Sequence, residues 1–218
     1  MISYIPEHLL KALAVIPDDL PSILLLRHAE RKPIIDGDSG INVGLTLTGY
    51  KQALVLGKKL GARLKWAQSS PLLRARRTID AIIRGSGIST ELRVENNALL
   101  GEPGPFVIDT VKGALWFAEI GTKNLIRELI AGRDFDGIRN IKQGVGIFMD
   151  HLKAILMSKV GLGLMISHDA ILIPILALLF KESFDNKWLQ PLDGMLIVAN
   201  SNKLSFCRNY NTTERVIC

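Results

Sequence analysis

Two adjacent residues, Arg27 and His28, follow a short apolar run and are of types that can do chemistry together. The run at residues 23–26 reads Ile-Leu-Leu-Leu, which is typical of a buried parallel strand. Side chains at the carboxyl end of such a strand lie where open α/β sheets bind ligands. A neutral imidazole is a nucleophile, and a guanidinium binds phosphate oxygens. The pair therefore indicates phosphoryl chemistry on His28.

A second strand-end histidine is His168, which follows the run Gly-Leu-Met-Ile-Ser at residues 163–167. Two histidines at the ends of two parallel strands meet at one site if those strands are neighbours. The chain has 4 histidines, and the other two, His8 and His151, lie in helical patterns beside charged residues. We interpret these two as surface residues, because histidine is commonly half-exposed.

A third group, at residues 69–78, reads Ser-Ser-Pro-Leu-Leu-Arg-Ala-Arg-Arg-Thr. It leaves a predicted strand and opens a predicted helix. The free amides in the first turn of a helix attract anions, and Arg74 can project from that turn toward a bound anion. We interpret Arg76 and Arg77 as solvated charges on the helix surface.

The elements that must position these residues alternate between strands and helices, which predicts βαβ units and a mostly parallel sheet. We expect strands at residues 22–26, 66–69, 91–94, 163–167, 195–200 and 203–208, and helices at residues 6–14, 48–64, 71–84, 146–160 and 170–180. Thr48 is the expected N-cap of the second helix, and Gly85 the expected end of the third. Residues 98–144 hold a Gly/Pro-rich segment and two short helical patterns, around 114–120 and 124–130. We interpret residues 98–144 as an irregular helical lid within a single domain that spans residues 1–218.

Composition narrows the class of protein. The chain has 218 residues, of which 48% are apolar and 22% charged, as in an ordinary globular domain. A formal net charge of +6 favours anionic partners. Because no dense Lys/Arg block is interleaved with aromatic residues, we expect no nucleic-acid partner. Nothing in the sequence indicates an oligomeric state.

The 2 cysteines, Cys207 and Cys218, lack the spacing of zinc ligands and are too few for a disulfide framework. The N-terminal segment has no basic stretch followed by a long apolar run, so we expect no signal peptide. The longest apolar stretch, residues 170–180, is interrupted by Pro174 and is too short to cross a bilayer. We therefore predict a cytoplasmic protein with reduced thiols and no membrane partner.

The same segments resemble the histidine phosphatase superfamily, the phosphoglycerate-mutase-like proteins. Residues 27–30, Arg-His-Ala-Glu, are similar to that family's Arg-His-Gly motif, with Ala29 in place of glycine. Residues 45–53 are similar to its Leu-Thr-x-x-Gly-x-x-Gln-Ala segment, and residues 69–78 match Ser-Ser-Pro-Leu-x-Arg-Ala-x-x-Thr. The strand-end His168 resembles the family's second histidine. Four blocks in the family's order, spread over most of the chain, form a specific pattern.

The resemblance implies a three-layer α/β/α sandwich and a phosphohistidine intermediate on His28. Arg27, Arg74 and His168 would bind the phosphoryl group of a small phosphorylated substrate and stabilise its charge in the transition state. The function implied is a phosphatase that hydrolyses a small phosphomonoester with no metal and no cofactor. His28 must be neutral to attack, and neighbouring cations lower the pKa of a histidine. One ring nitrogen needs an acceptor, which we expect to be a backbone carbonyl, so that the other nitrogen faces phosphorus.

The general acid stays open between two carboxyl groups, Asp169 and Glu102. The leaving alkoxide needs a proton, so a carboxylic acid must lie near the ester oxygen. Each candidate lies where one branch of the family places its acid: Asp169 directly after His168, and Glu102 in a Leu-x-Glu setting after the arginine helix. Asp169 can instead cap the following helix, and Glu102 can be an exposed loop residue. We favour Asp169, because it directly follows a predicted strand end.

Three alternatives to this function stay open from the sequence. A phosphomutase would use the same site but return the phosphoryl group to the substrate. A catalytically silent binding module could have kept the fold without the reaction. A metal site on His28 and His168 would lack a third ligand at an informative spacing. Arg31 could line the rim of the pocket or form a surface ion pair with Asp36 or Asp38, and we favour the surface pair.

Overall fold

Buried apolar runs form the central sheet, and amphipathic helices cover it. The computed structural model describes residues 6–35, 40–88, 92–200, 203–209 and 211–216. In these residues the strands are β1 (Ser22–Arg27), β2 (Leu64–Ser69), β3 (Val94–Asn96), β4 (Leu162–Ser167), β5 (Gly194–Asn200), β6 (Lys203–Arg208) and β7 (Asn211–Val216). The α-helices are α1 (Glu7–Ala14), α2 (Leu47–Leu60), α3 (Leu73–Ser86), α4 (Thr110–Ile130), α5 (Ile141–Ser158) and α6 (Asp169–Phe180). Short 3₁₀ helices cover Gly61–Arg63 and Ala98–Leu100.

The described strands form one seven-stranded sheet in the order β3-β2-β4-β1-β5-β6-β7. Strands β3, β2, β4 and β1 are parallel, and β5, β6 and β7 continue the sheet in antiparallel pairs. The predicted α/β fold with a parallel core is confirmed. Strands β1 and β4 pair directly, with Arg27 opposite Ser167. His28 and His168, which follow these two residues, therefore begin at adjacent positions on the same edge of the sheet.

Helices cover both faces of this sheet, which gives the three-layer sandwich. Successive side chains of a strand point to opposite faces. In β1, Leu24 and Leu26 pack into the apolar cluster formed with α1, α2 and α3, whereas Ile23 and Leu25 pack into the cluster formed with α4, α5 and α6. All four side chains are at most 1% exposed, as expected for a strand buried on both faces.

Several helix boundaries differ from the sequence predictions, and the differences at the start of α2 and the end of α3 have a local cause. Helix α2 begins at Leu47, because Thr46 rather than Thr48 is the N-cap and accepts from the Gly49 N–H. Helix α3 continues past Gly85 to Gly87, which has the left-handed conformation of a helix end. Gly85 has a packing role instead: a Cβ there would lie 2.1 Å from the Leu54 carbonyl of α2.

Residues 98–144 are more regular than the sequence predicts. The two short helical patterns are the halves of α4, joined across a kink at Gly121, where φ is 76°. The second half of α4 packs on the core, whereas Val111 and Leu115 of the first half are exposed. Helix α5 begins at Ile141, five residues earlier than expected, because Asn140 caps it through the Gln143 N–H. That this region acts as a lid stays a prediction.

The C-terminal part contains one more strand than predicted. The expected hairpin is β5 and β6, and β7 pairs with β6 beyond it. Residues 211–216 read Asn-Thr-Thr-Glu-Arg-Val, which lacks the alternation of apolar residues that marks a strand. Cys207 is a half-buried free thiol. The hairpin turn at 201–202, Cys218, residue 91 of the predicted third strand, and Asp36 and Asp38 lie outside the described residues.

Candidate active site

His28 leaves the end of β1 with only 2% of its surface exposed. Its backbone N–H donates to the Ser167 carbonyl at 2.9 Å, which ties it to the end of β4. Its Nδ1 lies 2.7 Å from the Ala29 carbonyl oxygen. Because a carbonyl oxygen can only accept, Nδ1 carries the proton and Nε2 carries the lone pair. The backbone acceptor expected from the sequence is therefore that of Ala29.

The His28 ring is neutral at ordinary pH. Burial and the neighbouring Arg27 guanidinium lower the pKa of His28 to about 3, against the opposing effect of the Ala29 hydrogen bond. The sequence predicts a lowered pKa for His28 from the neighbouring cations alone, but loss of water around the ring lowers that pKa more than the cations do. The neutral form is the one that can attack phosphorus.

His168 lies beside His28, with the two ring centroids 5.1 Å apart. Its Nε2 lies 2.7 Å from the Ser70 Oγ, at the end of β2. Burial, followed by the charges of His28 and Arg74, keeps the pKa of His168 well below its usual value. Ends of three adjacent strands, β1, β4 and β2, thus meet at the histidine pair, as the predicted motifs require.

Arg27 is largely buried and contacts three other parts of the chain. Its Nη2 lies 2.9 Å from the Asp169 Oδ2, and its Nη1 donates to the Leu189 carbonyl. Its backbone N–H donates to the Asp193 carbonyl at 2.9 Å. Burial is the main reason that the pKa of Arg27 is lowered, with Asp169 opposing it, yet a guanidinium stays charged. Arg27 is therefore a fixed cation next to His28.

Arg74 is brought to the site by the start of α3. Its Nη1 donates to the Gly40 carbonyl at 2.7 Å. Thr78, one turn later, donates to the Arg74 carbonyl at 2.7 Å and accepts from the Ala29 N–H at 3.0 Å. The threonine of the third motif thereby joins the arginine helix directly to the residue that holds the His28 ring.

The second motif supports the loop after His28 rather than the reaction. Thr46 donates through Oγ1 to the Glu30 Oε1 at 2.7 Å, and its backbone N–H donates to the Glu30 carbonyl at 3.0 Å. Gly49 lies so close to this loop that a Cβ would be 2.2 Å from the Glu30 carbonyl oxygen. Only glycine allows that approach, which accounts for its place in the motif.

The two candidate acids have different surroundings. Asp169 lies at the start of α6, where its Oδ2 binds Arg27 and accepts from the Trp188 Nε1–H at 2.9 Å. Burial opposes ionisation, but Arg27 and Trp188 outweigh it and hold the pKa of the Asp169 carboxyl below its usual value. Its Oδ1 also accepts from the Ala170 N–H at 3.0 Å, so the residue stabilises the helix start as well. Glu102 is exposed, in a Gly/Pro loop near enough to Arg74 for their charges to interact.

Arg31, for which the sequence favoured a surface ion pair, contributes positive charge to the site. The residue is half-buried, and its Nη1 donates to the Lys32 carbonyl at 2.8 Å. After burial, its charge is the largest cause that lowers the pKa of Arg74, and it also lowers that of His168. The only available signal was its position three residues after His28.

Three buried nitrogen atoms of these residues have no hydrogen-bond partner in the described part of the chain: Arg27 Nε, Arg74 Nε and His168 Nδ1. Buried polar groups are normally paired, and an unpaired one costs about 1–3 kcal/mol. All three atoms belong to residues that surround His28. Unpaired nitrogens of this kind can donate to an acceptor group such as a phosphoryl oxygen.

The described residues contain no group of three or more His, Cys, Asp or Glu side chains arranged to hold a metal ion. None of the helices found there is long and apolar enough to span a bilayer.

Comparison with known proteins agrees with this geometry. The family model of the histidine phosphatase superfamily (branch 1) matches residues 23–102, which include Arg27, His28, Arg74 and Glu102. No curated protein matches the sequence significantly.

Several solved structures share the fold at low sequence identity. YhfR of Bacillus stearothermophilus has a TM-score of 0.62 at 15% identity, over 87% of this chain and 96% of that chain. A mycobacterial glucosyl-3-phosphoglycerate phosphatase has a TM-score of 0.56 at 16% identity, over 82% and 90% of the two chains. A mutant phosphoserine phosphatase from Entamoeba histolytica, solved with phosphoserine, has a TM-score of 0.54 at 16% identity, over 88% and 94%. The motifs at residues 23–102 thus match the family model of the histidine phosphatase superfamily, and the chain shares its fold with these solved structures.

Proposed function

We propose that this protein is a metal-independent phosphatase, which hydrolyses a small phosphomonoester through a phosphohistidine on His28. The observation that carries the proposal is the state of the His28 ring. It is neutral, its Nδ1–H is held by the Ala29 carbonyl, and its Nε2 lone pair is free to attack. A group that is buried, uncharged and fixed in one tautomer has what a nucleophile needs.

The cations of the site supply charge stabilisation. Phosphoryl transfer is mainly positioning and stabilisation of charge on the three equatorial oxygens. Arg27 and Arg74 supply guanidinium donors, and His168 supplies a neutral ring nitrogen. Arg31 adds a third positive side chain at the edge of the group.

In the first step, His28 Nε2 forms a bond to phosphorus while the bond between phosphorus and the ester oxygen breaks. The leaving oxygen takes a proton from a carboxylic acid, for which we propose Asp169. The imidazole becomes cationic on phosphorylation, and the Ala29 carbonyl accepts more strongly from its Nδ1–H. In the second step water attacks phosphorus, gives its proton to the Asp169 carboxylate and releases inorganic phosphate and neutral His28.

The ion pair between Asp169 and Arg27 must loosen for Asp169 to carry a proton. A bound phosphoryl dianion would compete with Asp169 for the Arg27 guanidinium. Asp169 would then lose its counter-ion and lie near negative charge, and both changes raise the pKa of a carboxyl group. Substrate binding would thus prepare the acid. Glu102, exposed and near Arg74, is the other carboxyl group to be tested.

The test is quenching of the enzyme in alkaline detergent during turnover of an aryl phosphate radiolabelled in its phosphoryl group, because phosphohistidine is stable in alkali and labile in acid. We expect acid-labile label on the wild-type chain, release of inorganic phosphate, and no label on the His28→Ala variant. The His151→Ala variant is the matched control, because His151 lies at a polar cluster with Asn97, outside this site. No trapped label and no turnover across a panel of small phosphomonoesters would refute the proposal. Return of label to substrate without free phosphate would identify a phosphomutase.

A further inference from the structure

The irregular segment between α6 and β5, residues 182–193, contacts both charged partners of the site. We call residues 182–193 the strap. Its Trp188 donates from Nε1 to the Asp169 Oδ2 at 2.9 Å, and its Leu189 carbonyl accepts from the Arg27 Nη1. Arg27 and Asp169 also bind each other. Two consecutive residues of the strap therefore hold the two members of this ion pair: the Trp188 side chain binds Asp169, and the Leu189 carbonyl binds Arg27.

The end of the strap is joined to the strand that carries Arg27. The Arg27 backbone N–H donates to the Asp193 carbonyl at 2.9 Å, and the Leu192 N–H donates to the Arg27 carbonyl at 3.1 Å. Leu192 is fully buried with φ of 60°, a left-handed conformation that costs a leucine about 1 kcal/mol or more. Such a conformation persists only where the surroundings determine it. The contacts around Leu192 therefore determine the path of the strap.

Both ends of the strap are fastened to one buried guanidinium, that of Arg208 on β6. Arg208 donates from Nε to the Glu182 Oε2 at 2.6 Å and from Nη1 to the Asp193 Oδ1 at 2.8 Å. The residue is only 4% exposed. Removing one partner of a buried ion pair leaves an uncompensated charge, so both carboxylates are needed.

The Trp188 ring is held from its other side by α4. The Lys123 Nζ lies 5.4 Å from the centroid of the Trp188 ring, and the Arg127 Cζ lies 6.0 Å from it. Arg127 also donates to the Asp185 carbonyl of the strap at 3.1 Å. Cations over an indole face are attracted to it. The indole N–H is thereby fixed in its direction toward Asp169.

We propose that the strap is a positioning element of the reaction, in which Trp188 orients Asp169, Leu189 orients Arg27, and Arg208 anchors the segment at both ends. This inference rests on the proposed function. Trp188 can only donate, so it keeps Oδ2 of Asp169 as an acceptor when Arg27 turns to phosphate. Trp188 is a positioning residue, since it acts through Asp169.

The Trp188→Phe variant tests this role, because it removes the N–H donor and keeps an aromatic ring in the strap. We expect kcat for an alkyl phosphate to fall about tenfold, since a hydrogen bond to a charged group contributes on that scale. An aryl phosphate needs no proton, so its kcat is expected to change less than about twofold. KM for both esters is expected to stay nearly constant.

The pH profile provides a readout that a merely structural role of Trp188 would not change. Alkyl phosphate hydrolysis requires protonated Asp169 and is lost as the pH rises through its pKa. Loss of the donor destabilises the carboxylate, so we expect the alkaline limb of kcat to move up by about one pH unit. The matched control is Trp116→Phe, because Trp116 donates to the Asp136 carbonyl in an exposed setting.

The outcomes separate the two proposals. In one outcome the wild-type chain forms the phosphoenzyme, while Trp188→Phe and Trp116→Phe show the same alkaline limb of kcat and the same ratio of alkyl to aryl phosphate hydrolysis. In that case the strap inference is wrong and the proposed function stands. If the wild-type chain forms no phosphoenzyme, both fall. Arg208→Lys, which keeps the charge but loses paired donation, is expected to give a weaker form of the Trp188→Phe pattern. If Arg208→Lys has the same kinetics and pH profile as the wild type, Arg208 does not anchor the strap in the way proposed.

Discussion

The Asp169 carboxylate lies 2.9 Å from the Arg27 guanidinium, measured between Oδ2 and Nη2. The pair joins the end of β1 to the start of α6, directly beside His28. It keeps the pKa of Asp169 low in spite of burial, and it keeps Arg27 in place next to His28. A substrate that draws Arg27 away would change both properties together.

The first prediction concerns the general acid. Asp169→Asn is expected to lower kcat for an alkyl phosphate by roughly a hundredfold or more, the usual range for general acid catalysis, and to affect an aryl phosphate far less. Glu102→Gln is expected to leave both rates nearly unchanged, because Glu102 is exposed. Steady-state kinetics with both esters measures the difference. If only Glu102→Gln shows the ester dependence, Glu102 is the acid.

The second prediction compares two arginines of α3. Arg74→Gln is expected to lower kcat/KM by about 100-fold to 1,000-fold, as when one preorganised transition-state donor is removed. Arg77→Gln, an identical change one turn away on the exposed face, is expected to change it by less than about twofold. Equal effects of the two substitutions would mean that general surface charge, not Arg74 at the site, matters.

The third prediction concerns acid stability. The pKa of His28 is about 3 in the folded chain, against 6.5 as its ordinary value. Between these values the unfolded chain binds a proton at His28 that the folded chain does not, so stability falls as the pH falls. His28→Gln is expected to reduce this slope by up to about 1.4 kcal/mol per pH unit.

Urea unfolding of His28→Gln and of the wild type between about pH 6.5 and about pH 5 measures that slope. Part of the pH dependence of stability remains in the variant, because the pKa of His168 is also well below its usual value. The prediction concerns the slope and not the absolute free energy of unfolding, which the substitution also changes. Parallel curves for the two chains would contradict it.

The fourth prediction tests the support of the histidine loop. Gly49→Ala would place a Cβ 2.2 Å from the Glu30 carbonyl oxygen, so the backbone must move. We expect a loss of about 1–3 kcal/mol in the free energy of unfolding, together with reduced activity. Gly146→Ala is the control, because Gly146 is exposed in α5 with nothing within 4 Å of the added Cβ. There alanine is expected to stabilise by about 0.5–1 kcal/mol.

The fifth prediction concerns metals. In the proposed reaction, guanidinium groups would match the charge of the phosphoryl group, and the described residues contain no cluster of three or more metal-ligand side chains. We expect activity on an aryl phosphate to be unchanged after dialysis against excess chelator. Loss of activity that is restored by one divalent cation would contradict the prediction, and elemental analysis of the dialysed protein would verify metal removal.

Local sequence patterns predicted much of the fold. The apolar runs at 23–26 and 163–167 are strands, and the helix after each is present, because burial of apolar side chains favours the same pattern wherever the run lies. Strand β7 was missed, since its mostly polar sequence lacks the alternation of apolar residues that predicts a strand. The start of α2 was also misplaced, because Thr46 and Thr48 are both suitable N-cap residues and it is Thr46 that accepts from the Gly49 N–H.

The sequence by itself determined the chemistry that the site can use. Residue types and their places at strand ends indicate a histidine nucleophile and arginine donors, because those properties belong to the side chains and to the local element. Only the tertiary structure decided which groups meet. The pairing of β1 with β4, the contact between Arg27 and Asp169, and the passage of the strap past both depend on long-range contacts and loss of water. Local periodicity does not encode these contacts, which is why the hydrogen bond from Trp188 to Asp169 and the anchoring of the strap by Arg208 become visible only in the folded chain.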